Sequence, residues 1–139
     1  MAIRPQAIKK MVIHILRREG ITRAELSFSF ISASQIRSLN QKFLKRSYAT
    51  DVLAFDLKEA KKKNELVGDI FISTDAVIKQ SKLFKTSLPY EFVLYIVHGI
   101  LHLLGYDDHS PKDIKKMRAK EFEILKKLGK EINATVACC

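Results

Sequence analysis

The sequence predicts an α+β protein in which about five helices pack on a small mixed β-sheet, with one central, buried helix. Segments with helical periodicity and with strand alternation follow one another as helix, strand, helix, strand, hairpin, strand and then three helices. Hydrophobic residues make up 47% of the chain and charged residues 29%, a composition typical of globular proteins. A length of 139 residues predicts one domain, 1–139, with its own core.

The first third of the chain predicts two helices and a strand. Residues 5–19 carry apolar side chains on one helical face, and Gly20 ends that helix. Residues 25–31 alternate between polar and apolar side chains, which predicts a strand. Ser32 or Ser34 then caps a second helix, which continues to about Phe43.

A hairpin and a third helix are predicted next. Strand-forming residues favour strands at 50–57 and 66–73. The run 58–65 between them contains four lysines and predicts a solvated loop. Gly68 inside the second strand indicates a bulge or a close approach of another segment. The third helix is predicted from about 74 to 84.

The helix predicted to begin near Leu88 has no wide polar face, so it is expected to be the central buried helix. Pro89 suits its first turn, where a missing N–H costs nothing. A last helix is predicted to start after Ser110 as its cap, and to end at Leu128 ahead of Gly129.

The net charge of +10 favours a polyanionic partner, above all nucleic acid. A basic protein without such a partner is the plainer interpretation. Both cysteines, Cys138 and Cys139, stand side by side at the end of the chain and form neither a disulfide framework nor a zinc site. With no signal sequence and no long apolar span, the expected location is the cytosol, away from membranes.

Three of the four histidines lie in one short stretch, and two of them have the spacing of metal ligands. His98 and His102 are four residues apart, so both imidazoles leave the same face of a helix. Gly105 ends that helix, and the chain that follows can bring Asp108 or His109 back as a third ligand. Three protein ligands leave one position open, which is the pattern of catalytic zinc. One divalent metal, most simply zinc, is therefore predicted.

A pair of histidines on a buried helix is also compatible with ordinary hydrogen-bonded core residues. Burying two histidines next to two aspartates and a third histidine is costly without a partner such as a metal. The spacing resembles that of the metzincin proteases, but Gly99 stands where those enzymes have their general-base glutamate. Peptide hydrolysis is therefore the less favoured chemistry.

Three separated motifs are present: Leu39-Asn40 with 50–55, then 67–73, and then 98–107. They resemble the YbeY family of ribosomal RNA maturation factors. Leu39-Asn40 and the later stretch Thr50-Asp51-Val52-Leu53-Ala54-Phe55 match the family's Asn and Thr-Asp/Asn-Val-Leu-Ser-Phe. Val67-Gly68-Asp69-Ile70-Phe71-Ile72-Ser73 is similar to its Leu-Gly-Asp-Ile-Val-Ile-Ser. The stretch from His98 to Asp107 matches its histidine motif, the most specific of the three. Together the motifs span about half of the chain.

The resemblance implies a metal-dependent endoribonuclease that favours single-stranded RNA and matures ribosomal RNA, including the 3′ end of the small-subunit RNA. It makes His98 a catalytic residue as well as a metal ligand. Arg46 would be catalytic through stabilising the charge of the cleaved phosphate, and Lys45 and Arg46 would bind substrate. Ribosomal proteins or assembly factors are implied as partners.

Two positions depart from the family's usual pattern. Its third histidine falls where this chain has Asp108, and His109 follows one residue later. Position favours Asp108 and ligand chemistry for zinc favours His109, so both are candidate metal ligands. The family's groove arginine falls at Leu44, and Lys45 or Arg46 beside it can supply that cation.

Two other functions stay open at this point. One is an RNA-binding ribosome-assembly factor whose metal is structural, which the lack of an evident general base supports. The other is an unusual metallopeptidase, against which Gly99 argues.

Overall fold

A computed structural model describes residues 2–44, 51–58 and 63–137. Its regular elements are, in chain order, β1 Ala2–Ile3, α1 Pro5–Arg18, β2 Arg23–Ile31, α2 Ala33–Leu44, β3 Val52–Asp56, β4 Glu65–Ser73, α3 Thr74–Leu83, α4 Leu88–Leu103, α5 Pro111–Leu128, the 3₁₀ helix Gly129–Ala134 and β5 Val136–Ala137. The predicted α+β class with a small sheet and five helices is confirmed. No helix within the described ranges combines the length and the apolar character needed to cross a membrane.

The main sheet has three strands in the order β2-β4-β3, so β4 is central and β3 forms an edge. β2 runs parallel to β4 in register Leu26↔Gly68, and β3 runs antiparallel to it in register Val52↔Ile72. The sheet is therefore mixed, as predicted. Side chains of β4 alternate between buried and half-buried, because one face of the strand lies against the helices.

α4 is the buried helix around which the core is built. Ser87 caps it by accepting a hydrogen bond from the Tyr90 N–H, and Pro89 lies in its first turn. Phe92, Ile96 and Ile100 are completely buried, and they join side chains from α1, β4, α3 and α5 in one apolar cluster. Burial of this size stabilises the helix far more than its intrinsic propensity does. The histidines at its end are thus mounted on a rigid element.

Two glycines allow α4 and the sheet to approach closely. A Cβ on Gly99 would lie 2.6 Å from Ile70 Cγ2, and a Cβ on Gly68 would lie 2.7 Å from the Phe55 carbonyl oxygen and 2.8 Å from Leu103 Cδ1. The close approach predicted at Gly68 is therefore present. At Gly99, the place of the metzincin glutamate, a side chain would point into the core and not toward His98.

Replacing Gly99 with alanine is expected to lower the free energy of unfolding, because Ile70 is fully buried and its branched Cβ cannot move its methyl group away. Overpacking typically costs about 1–3 kcal/mol, more than the roughly 1 kcal/mol that alanine gains over glycine in a helix. Urea denaturation measures the difference. In a protein that already carries Ile70→Ala, Gly99→Ala is expected to lower the free energy of unfolding by less. Equal losses with and without Ile70→Ala would contradict the packing explanation.

A second, smaller sheet was not predicted from the sequence. β1 pairs antiparallel with β5 through Ala2↔Ala137 and Ile3↔Val136, and the Arg4 N–H donates to the Thr135 carbonyl at 2.9 Å. Each strand has only two residues, too short for a detectable alternation. Gly129 ends α5 with a positive φ of 52°, as expected, and the 3₁₀ helix leads the chain from there to β5.

Candidate metal centre

The last turns of α4 bring two imidazoles face to edge. The ring centroids of His98 and His102 are 4.6 Å apart, and their Nε2 atoms are separated by 3.1 Å. The one-turn spacing and the fixed direction of side chains on a helix produce this pairing. Both rings are half-buried, so each keeps part of its surface accessible to solvent at the helix end.

Gly105 turns the chain back over this helix end. It has a φ of +100°, and its N–H donates to the His102 carbonyl at 3.1 Å while the Tyr106 N–H donates to the Leu101 carbonyl at 3.0 Å. These two bonds form a Schellman motif, in which a left-handed residue ends the helix. The loop that follows places Asp108 Oδ2 at 3.7 Å from His98 Nε2 and 3.6 Å from His102 Nε2.

Each ring has a hydrogen-bond partner besides the contact between the two Nε2 atoms. His98 Nδ1 lies 2.7 Å from Oε2 of Glu121, a residue of α5 that is 2% exposed. The Tyr106 backbone forms a hydrogen bond with His102. Such outer partners fix the tautomer that presents Nε2 as a lone pair. Burial first, and then the neighbouring His98, lowers the pKa of His102, which favours its neutral, metal-binding form.

The spacing of the three donor atoms fits a transition metal. A tetrahedral ion with bonds of 2.0–2.2 Å holds its ligand atoms about 3.3–3.6 Å apart. The three separations here are 3.1, 3.6 and 3.7 Å. Two imidazole nitrogens and one carboxylate oxygen are also a donor set that suits zinc. The residues therefore fit a single divalent ion with an open fourth position.

His109 is placed differently from Asp108. Its side chain is 70% exposed, and its Nε2 lies 3.1 Å from Asp107 Oδ1. The same Asp107 oxygen accepts a hydrogen bond from the Asp108 N–H at 2.9 Å, so Asp107 organises the loop. Asp107, Asp108 and His109 form a second group whose ligand atoms lie within 4.8 Å of one another, but all three residues are exposed. The other predicted site residues, Lys45 and Arg46, lie outside the described residues.

A cleft of about 670 Å³ opens in front of the three donor atoms. Its wall includes the β3 edge together with Asn40 and Asp51, so residues of the first sequence motif meet the histidine motif here. The Tyr95 hydroxyl donates to Asp51 Oδ2 at 3.4 Å. Burial, and next the charge of Asp51, raises the pKa of Tyr95, so its hydroxyl stays a neutral hydrogen-bond donor. The cleft is large enough to bury part of a nucleotide chain.

Two residues of the site were missed by sequence reasoning, and both lie on α5. Glu121 accepts from His98, and Arg118 lines the cleft with its Nη1 3.2 Å from Glu121 Oε1. One signal for Glu121 was available. It falls on the buried stripe of α5 formed by Met117, Glu121, Ile124, Leu125 and Leu128, where a carboxylate is out of place unless it has a partner.

The chain is similar to known proteins over most of its length. The family model described as Endoribonuclease YbeY matches residues 2–129. The chain is 34% identical to Endoribonuclease YbeY of Salinibacter ruber over 124 residues, which cover 85% of this chain and 79% of that protein. It is 36% identical to Endoribonuclease YbeY of an Anaeromyxobacter species over 110 residues, covering 79% of this chain and 57% of the relative. The solution structure of TM1509 from Thermotoga maritima is similar, with a TM-score of 0.63 and 28% identity over 91% of this chain and 79% of that one.

Proposed function

Since this chain belongs to the endoribonuclease YbeY family, we propose that its cleft is the active site of a metal-dependent endoribonuclease acting on single-stranded ribosomal RNA. The observation that carries the proposal is the convergence of His98, His102 and Asp108 at one side of that cleft. Ribosome maturation, including the 3′ end of the small-subunit RNA, is the proposed role. Cytosolic assembly factors or ribosomal proteins are the proposed partners.

His98, His102 and Asp108 are the proposed ligands of one zinc ion. A divalent metal bound there would polarise a phosphoryl oxygen and lower the pKa of a water molecule toward neutrality. Glu121 holds the Nδ1 proton of His98, and the Gly105 turn keeps Asp108 over the helix end. Fixed ligands on a rigid helix hold the reacting groups in place without reorganisation.

The distribution of charge supports RNA as the substrate. The chain has a net charge of +10, and the α1 side chains of Lys9, Lys10, Arg17 and Arg18 are exposed. Each phosphate that such cations neutralise releases counterions, so binding is expected to weaken steeply as salt rises. Lys45 and Arg46 lie outside the described residues and stay proposed substrate contacts.

Asp108 and His109 are expected to differ sharply as metal ligands. Asp108→Ala removes the donor atom within 3.7 Å of both histidines, whereas His109→Ala removes a ring that lies against Asp107. The affinity for zinc is expected to fall by at least about 100-fold in the first variant, beyond the usual loss from outer partners, and little in the second. Competition with a fluorescent zinc chelator measures both. The reverse order would make His109 the ligand.

The function itself is tested by cleavage of a single-stranded RNA, resolved on a gel, with the same sequence as a duplex for comparison. The zinc-loaded protein is expected to cut the single strand, to lose this activity after chelation and to regain it when zinc is returned. If the metal-loaded protein binds RNA in a salt-dependent way but cuts none, the nuclease assignment is wrong and the protein is an RNA-binding assembly factor.

A further inference from the structure

Arg118 places a guanidinium in the cleft beside the metal centre. It lies on α5, one turn before Glu121, and its side chain is 67% exposed. No other lysine or arginine is present among the described residues that line the cleft. Its contact with Glu121 engages Nη1, so most of its five N–H donors still face the cleft and solvent.

The position of this guanidinium is tied to that of the metal ligands. The buried carboxylate of Glu121 contacts Arg118 through Oε1, at 3.2 Å, and His98 through Oε2, at 2.7 Å. The Glu121 carboxylate thus fixes the positions of both the Arg118 guanidinium and the His98 imidazole. A planar guanidinium that is already held loses less freedom when it binds a second anion.

The negative charge of the cleft means that a phosphate needs a cation to bind there. Among the described residues that line it, four carry a carboxylate, Asp51, Asp107, Asp108 and Glu121, and Arg118 carries the guanidinium that faces them. A phosphodiester entering this space would be repelled by the aspartates unless positive charge met it. Guanidinium groups bind phosphate oxygens through two parallel N–H bonds, which a carboxylate-rich cleft does not otherwise offer.

We propose that Arg118 binds the phosphate of the RNA substrate beside the metal, as a substrate ligand held in place by Glu121. This inference rests on the proposed endoribonuclease function and adds a residue to it. The phosphate bound is the scissile one or its direct neighbour, because Glu121 links the guanidinium to a ligand of the metal.

The test compares Arg118→Ala and Arg118→Lys with Lys115→Ala, which removes the same charge from an exposed position on the same helix. The probe is adenosine 5′-monophosphate, titrated into each zinc-loaded protein by calorimetry. Nucleotide binding is expected to weaken about 10-fold in Arg118→Ala, because a charge-assisted contact is lost. The loss is expected to be smaller in Arg118→Lys, which keeps the positive charge but lacks the parallel N–H donors of the guanidinium. Lys115→Ala is expected to bind as the wild type does.

Activity and salt dependence give further readouts. Arg118→Ala is expected to lower kcat/KM on single-stranded RNA about 10- to 100-fold, and to flatten the salt slope of RNA binding by about one phosphate contact. Its zinc content, measured by elemental analysis, is expected to stay at one ion per chain. Loss of zinc would make Arg118 a support of the metal site and overturn the proposal.

The titration separates the failure of this inference from the failure of the proposed function. If the wild type binds adenosine 5′-monophosphate through Arg118 but cuts no RNA, the phosphate site stands and the nuclease function is rejected. The opposite result is that the wild type cuts RNA while Arg118→Ala binds the nucleotide and cleaves RNA as Lys115→Ala does. That result would keep the nuclease assignment and reject this role for Arg118. Absence of nucleotide binding in the wild type would also reject it.

Discussion

His102→Ala is expected to abolish zinc binding and RNA cleavage together while the domain stays folded. The substitution removes one of two Nε2 donors that lie 3.1 Å apart, and two remaining ligands hold a metal weakly. α4 keeps its anchors, because Phe92, Ile96 and Ile100 are completely buried and do not depend on the imidazole.

Thermal unfolding with and without zinc gives this prediction a second readout. Zinc bound only to the folded state stabilises it by about 2.7 kcal/mol when free zinc is about 100 times Kd, so the wild-type Tm is expected to rise. His102→Ala is expected to show no such rise. His14→Ala is the matched control, since His14 lies on α1 beside Glu131 and belongs to no metal-binding group within the described residues. Full zinc content in His102→Ala would refute the ligand assignment.

Glu121→Gln is expected to weaken zinc binding about 10- to 100-fold, the usual effect of losing an outer partner of a metal-ligating histidine. The amide keeps the shape of the side chain and an oxygen that can accept from His98 Nδ1, but it removes the charge that makes the imidazole a stronger donor. The effect depends on burial, since only 3% of the Glu121 side chain is exposed to screening by solvent.

Glu123→Gln supplies the control for this experiment on the same helix. Glu123 is exposed and pairs with Lys127 at 3.0 Å and with Lys120 at 3.6 Å, away from the cleft residues. Its hydrogen bond to Lys127, and then the charge of Lys120, lowers the pKa of its carboxyl, a surface effect that salt weakens. Zinc affinity in this variant is expected to match the wild type. Equal affinities in both variants would make Glu121 a packing residue only.

The sequence was sufficient for the parts of the site that follow from local geometry. Helical spacing predicts that His98 and His102 share a face, and a glycine at 105 predicts the turn that returns the chain over them. The α+β class and the buried character of α4 follow from periodicity in the same way, and both are confirmed. The choice between Asp108 and His109 depends on how one exposed loop turns, which alternation along an extended chain does not decide.

The contacts that cross between helices were beyond sequence reasoning. Glu121 reaches His98 only because α5 packs against α4, and the separation of 23 positions between them carries no periodic sign of that pairing. Arg118 follows from the same packing, and the β1–β5 pairing joins the two ends of the chain through two residues on each side. Lys45 and Arg46 lie outside the described residues, so their roles stay predictions.

Anomalous diffraction at the zinc edge, from crystals of the zinc-loaded protein, tests the metal centre most directly. We predict one peak at about 2.0–2.2 Å from Nε2 of His98, Nε2 of His102 and a carboxylate oxygen of Asp108, with the fourth position open toward the cleft. A peak bound by Asp107 and His109 instead, or no peak beside the two α4 histidines, would contradict the metal centre from which the proposed cleavage of RNA follows.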